Sequence, residues 1–83
     1  MSYCVTSMVG PQKYPAESFK EACQIFVEKI KTRLAAGDMS YQELETLWWL
    51  ECPERAAPLY FYQVRDQCID NDWLAEDGTW IGG

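Results

Sequence analysis

The sequence predicts a mainly α fold with a small β component (α+β). A three-helix core is followed by a C-terminal β-hairpin, and an N-terminal strand is placed to join it. Three observations carry this expectation. Two Ser-x-x-Glu capping boxes, Ser18 with Glu21 and Ser40 with Glu43, open segments whose apolar residues recur three and four apart. Pro58 stands where a third such segment begins, and proline suits a first helical turn. Asp77-Gly78 sits between two short apolar arms, a strong mark of a tight hairpin. At 83 residues the chain has room for a single domain, residues 1–83.

Residues 3–9, YCVTSMV, are β-branched and apolar and read as a strand, with Tyr3, Val5 and Val9 on one face. Gly10-Pro11 ends it, and residues 11–15 read as a loop. The first helix is placed over 16–36, starting between Pro15 and Ser18. Phe19, Ala22, Cys23, Phe26, Ile30 and Leu34 form its stripe, and Gly37 can close it in a left-handed conformation. Lys29, Lys31 and Arg33 lie toward its C-terminal end, where the helix dipole favours cations.

The second helix is placed over 40–52, between the Ser40 cap and the stop at Pro53. Tyr41, Leu44, Trp48 and Cys52 share its stripe, with Trp49 and Leu50 pointing elsewhere. The third helix is placed over 57–70 and ends at Asp70-Asn71-Asp72. Leu59, Tyr62 and Ile69 lie on one side of it, with Phe61, Val64 and Cys68 opposite. Residues 73–81 are expected as a type I′ hairpin, with Gly82-Gly83 a flexible end.

From the first helix onward, this order resembles that of a winged-helix domain. MSYQELE opening the second helix and DNDWLAEDGTW after the third carry the likeness. The resemblance implies a helix-turn-helix whose third helix reads DNA and a hairpin that serves as the wing. The chain departs from that pattern in charge. Arg65 is the only cation in PLYFYQVRDQCIDND, against Asp66, Asp70 and Asp72, and the wing reads AEDG. Contact with several phosphates needs several Lys or Arg side chains, so nucleic-acid binding by this face is disfavoured.

The net charge of −6 is unevenly placed. Residues 1–37 hold five basic and three acidic side chains, net +2, whereas residues 38–83 hold two basic and ten acidic, net −8. The second half should repel nucleic acid and anionic lipid. No run approaches the ~20 apolar residues of a membrane span, and MSYCVTSMVGPQKYP lacks the pattern of a secretory signal. The expected location is therefore cytoplasmic.

Catalysis and cofactors are not expected. There is no histidine to act as a base near neutral pH, and no nucleophile elbow, Walker loop or dinucleotide fingerprint. Cys4, Cys23, Cys52 and Cys68 are too far apart to give the paired ligands of a zinc site, and read as free thiols packed as small hydrophobes. Asp70 and Asp72 fail the calcium-loop pattern, because Leu74 and Ala75 follow where an oxygen ligand and a turn glycine belong.

The aromatic residues point to protein binding. Trp48, Trp49, Tyr60, Phe61 and Tyr62 crowd two successive predicted helices, more rings than one small core accommodates. The sequence thus predicts a non-enzymatic interaction or regulatory protein. It would bind a protein partner, or a second copy as a homodimer, through Trp49, Tyr60, Phe61 and Glu45. Two alternatives are weighed beside it: a winged-helix-like regulator using Lys29, Lys31 and Arg33 on phosphates, and an acidic mimic of DNA. No small-molecule substrate is evident.

Overall fold

A computed structural model of the chain describes residues 2–8, 12–37 and 40–82. The expected Gly10-Pro11 stop and the Asp38-Met39 connection lie outside the described residues, as does the side chain of Tyr41. Seven elements follow in order: β1 (Tyr3–Ser7), β2 (Gln12–Ala16), α1 (Phe19–Ala36), α2 (Tyr41–Leu47), β3 (Trp48–Glu51), β4 (Leu59–Tyr60) and α3 (Phe61–Asp70). The four strands form one antiparallel sheet in the order β2-β1-β3-β4.

This arrangement overturns the three-helix core and the winged-helix order. The decisive segment is 48–51. Helical spacing continues the stripe of Leu44 through Trp48, but the structure buries Trp48 and Leu50 and turns Trp49 and Glu51 outward, a period of two. β1 explains the choice. It pairs with β2 on one side and with β3 on the other, Val5 opposite both Tyr14 and Leu50. Val5 and Ser7 are almost wholly enclosed, so their backbone groups need partners in protein rather than water. Extending α2 would strip that edge of its ladder.

The other corrections follow from the same sheet. The sequence places a loop over 11–15 and opens the first helix at 16; residues 12–16 are instead the strand β2, and α1 starts at Phe19 behind its Ser18 cap. β2 is an edge strand, where Pro15 is tolerated because one row of N–H groups needs no partner. The third helix starts at Phe61 rather than 57, since Leu59 and Tyr60 first pair with Leu50 and Trp49. The Gln63 side chain then accepts from the Tyr60 N–H at 3.0 Å and closes the helix start. There is no recognition helix flanked by a wing: α3 packs with α1 on the inner face of the sheet.

α1 is the element whose ends are most plainly encoded. The Ser18 hydroxyl accepts from the Glu21 N–H at 3.2 Å, and Gly37 at φ 73° donates its N–H to the carbonyls of Arg33 and Leu34. α2 likewise begins with the Ser40–Glu43 capping box fully formed. The core lies between α1, α3 and the inner sheet face. Phe26 is its hub, 5.4 Å from Phe61 and 6.5 Å from Trp48, while Tyr14 stacks on Trp48 at 6.1 Å.

The C-terminal segment does not join the sheet, and the N-terminal strand does not pair with it. A single bridge links Leu74 and Trp80. The turn is not type I′. Gly78 alone of the two central residues has positive φ, at 94°, and the Gly78 N–H donates to the Ala75 carbonyl. That is a three-residue loop ending in a left-handed glycine. Lys31 Nζ holds the Gly78 carbonyl at 3.1 Å and Arg65 holds that of Glu76 at 3.2 Å. Gly82 is not a free end: its N–H bonds Trp73, and a Cβ there would meet Lys20 and Trp80 at 3.1 Å.

Two expected outcomes test this fold. Trp48→Ala should lose about 3–5 kcal/mol, the range for emptying a buried aromatic site, whereas its neighbour Trp49→Ala should lose only about 1 kcal/mol. Urea unfolding of both variants measures the difference, and equal losses would restore the helix. The Asp77 carboxylate accepts from the Thr79 N–H at 2.9 Å, which holds its pKa below the ordinary 3.8. A lowered folded pKa means that the stabilisation is present above the unfolded pKa and is lost as pH falls through the folded one. Asp77→Asn keeps an acceptor without the charge. The melting temperatures of wild type and variant should therefore differ at about pH 6 and converge toward about pH 2.

Candidate functional site

The antiparallel register decides which side chains share the face turned away from α1 and α3. Directly opposed residues point the same way, so one row crosses all four strands: Lys13, Thr6, Trp49 and Tyr60. A second row holds Pro15, Cys4 and Glu51. Lys13, Pro15, Glu51 and Tyr60 are exposed, as is Met8 just beyond β1, while Cys4 and Trp49 are half-buried. No layer of the described residues encloses this face. Thr6 is its enclosed centre at 8% exposure, and its hydroxyl donates to Glu51 Oε2 at 3.1 Å. That bond fixes the Glu51 carboxylate beside the Trp49 ring.

Recesses flank the Trp49–Tyr60 pair at both ends of the strands. One, of about 180 Å³, is lined by Trp49, Glu51, Cys52 and the 55–58 turn. The other, of about 260 Å³, is lined by Glu45 and Thr46 of α2, Tyr60 of β4 and Tyr62 of α3. Tyr60 and Tyr62 are 37% and 54% exposed, and Glu45 is half-buried. The Thr46 hydroxyl donates to the carbonyls of its own helix, Glu43 at 3.1 Å and Gln42 at 3.4 Å. Among the described residues Glu45 has no hydrogen-bond or ion-pair partner.

Of the residues the sequence singled out, Trp49 and Tyr60 stand side by side on the outward face, and Glu45 stands next to Tyr60 in the second recess. Phe61 does not join them. It is 6% exposed and packs on Phe26 in the core, because the strand-to-helix switch after Tyr60 turns it inward. Tyr62, which the sequence groups with Leu59 and Ile69 on one side of the third helix, is the most exposed ring of the group. The sequence reading also missed Thr6 and Lys13. The signal for both was the alternation of 48–51, which makes that segment a strand and brings β1 and β2 to the same face.

The basic cluster of α1 is largely committed within the chain. Lys29 Nζ lies 4.6 Å from the Tyr14 ring centroid, and Lys31 holds the C-terminal turn. All four cysteines are free, and Cys23, Cys52 and Cys68 are buried. Cys23 of α1 is buried near Cys68 of α3. The neighbouring Cys68 thiol, together with burial, pushes the Cys23 thiol above its ordinary range. Burial also raises Cys52. Among the described residues no group of three or more potential ligands is placed to hold a metal ion, and no helix is long and apolar enough to cross a membrane.

Comparison with protein-family models, curated proteins and solved structures found no match to this chain.

The thiols should separate by reactivity. In the folded protein a water-soluble disulfide reagent should modify Cys4 first, because it alone is half-exposed, on the outward face. Cys23, Cys52 and Cys68 should react only with the rate of unfolding, which mass mapping of the labelled sites over time would show.

Proposed function

We propose that the protein is a non-enzymatic interaction module whose docking surface is the outward face of the sheet. The observation that carries this reading is the Trp49–Tyr60 pair, adjacent across β3 and β4 on the face away from both long helices. Large amphipathic rings present much area at small entropic cost, which is why they concentrate at binding hot spots. Thr6 and Glu51 hold the floor beside them, and the exposed Lys13 and Glu51 supply a charged rim. The rings, the Thr6–Glu51 bond and the charged groups of this face are suited to binding.

Site-specific photocrosslinking tests the reading. A benzoylphenylalanine at position 13 or 51 lies on the rim and leaves both rings intact, and one at position 28 lies on the exposed side of α1. Adducts with one protein, or with a second copy of the chain, are expected from 13 and 51 but not from 28. They should disappear in a Trp49→Ala, Tyr60→Ala double variant that still melts cooperatively. Equal adducts from all three positions, or adducts indifferent to the rings, would remove the proposal.

A further inference from the structure

The recess formed by Glu45, Thr46, Tyr60 and Tyr62 has a chemistry of its own. Its walls are two tyrosine side chains more than a third exposed, and its polar groups are the Glu45 carboxylate, the Thr46 hydroxyl and the two phenol hydroxyls. The Thr46 hydroxyl spends its proton on helix carbonyls, so only its acceptor capacity faces a ligand. Glu45 is half-buried as a residue, and its carboxylate has no cation beside it among the described residues. Four of the chain's seven cations are engaged elsewhere: Lys20 on the Trp73 ring, Lys29 on the Tyr14 ring, Lys31 on the Gly78 carbonyl and Arg65 on the Glu76 carbonyl. The recess therefore offers a carboxylate, a hydroxyl acceptor and two π-faces to whatever enters it, with the phenol hydroxyls of Tyr60 and Tyr62 as its side-chain donors.

From this geometry we infer that the recess receives an arginine side chain from a basic segment of the partner protein. The inference rests on the outward-face reading and names the partner's chemistry. A guanidinium is planar, so it stacks on a tyrosine ring, and its fork of donors can reach the Glu45 carboxylate and the Thr46 hydroxyl together. Ring stacking and a charge-assisted bond at one site favour it over a neutral group. At about 260 Å³ the recess falls below the usual range for whole small-molecule ligands, about 300–1,000 Å³, and suits one side chain. The surrounding chain supplies the long-range field, since residues 38–83 carry a net charge of −8. The flanking Trp49 ring then lies next to the entering segment, on the same row as Tyr60.

A capped peptide of alternating arginine and glycine is the probe, and the same peptide with citrulline in place of arginine is the neutral control. Binding to the ¹⁵N-labelled protein is followed by amide shifts. The expected result is saturable shifts centred on Glu45, Thr46, Tyr60 and Tyr62 with the arginine peptide and none with citrulline. Glu45→Gln should weaken binding about tenfold. Asp66→Asn removes the same charge from an exposed site on α3 and should weaken it less than about twofold. Tyr62→Phe should bind as wild type and Tyr62→Ala should not, with far-UV spectra confirming that both fold. An adventitious electrostatic association would respond equally to Glu45→Gln and Asp66→Asn, and would overturn the assignment. So would binding of the citrulline peptide, or no binding at about 1 mM. Any of these would leave the crosslinking result, and with it the outward-face reading, standing by itself.

Discussion

The two-sided pairing of β1 is the constraint on which the rest of the structure depends. A central strand with enclosed residues must have both rows of backbone groups satisfied, and each row left unmatched forfeits about 1–3 kcal/mol per buried group. β2 supplies one row through a short return of the chain. The other comes from 48–51, which breaks off α2 after two turns and extends. β3 in turn exposes an edge, and Leu59 and Tyr60 close part of it before α3 starts. Each later element takes its bounds from an edge that the previous one left open.

That cascade also sets what lies on each face. The chain has two long helices, α1 and α3, and both are needed to cover the inner side, where Val5, Trp48, Leu50 and Leu59 meet Phe26, Phe61 and Val64. No third long helix remains for the outer side. The outer residues are therefore those that tolerate partial solvation: Lys13, Thr6, Glu51 and two amphipathic rings. Recruiting Trp48 to the core by strand geometry sends Trp49 outward as a necessary consequence. The outward, half-buried ring is thus as much a product of the backbone ladder as the buried one.

How much of this was legible varies with how local each signal is. The end of α1 could be read to the residue and its start to within three, because its cap, its stripe and its closing glycine all lie in or next to the helix. The start of α2 was legible for the same reason. Its end was not, since Trp48 satisfies a helical spacing from Leu44 and a strand alternation with Leu50 equally well. Pro53 suited either reading, as it follows a helix or a strand with equal ease. Only β1, more than 40 residues away, decides between them. β2 was hidden by prolines that an edge position excuses. For the site, the outward placement of Trp49 and Tyr60 was visible in their departure from the apolar stripes, and that of Thr6 and Lys13 required knowing the register.

The charge distribution gives the outward face its direction. Three cations of α1 are engaged within the chain: Lys20 at the Trp73 ring, Lys29 at the Tyr14 ring and Lys31 at the Gly78 carbonyl of the C-terminal turn. This fastens the last segment to the helix and leaves the acidic half of the chain without internal neutralisation at Glu45. A carboxylate with no counter-charge beside it gains a charge-assisted partner when a cation arrives. A ring pair alone would accept many apolar partners. Beside an unmatched carboxylate it discriminates, because an acidic or neutral segment gains the ring contact while leaving that carboxylate unpaired. The absence of a cation beside Glu45 among the described residues is what would let the free chain choose among partners.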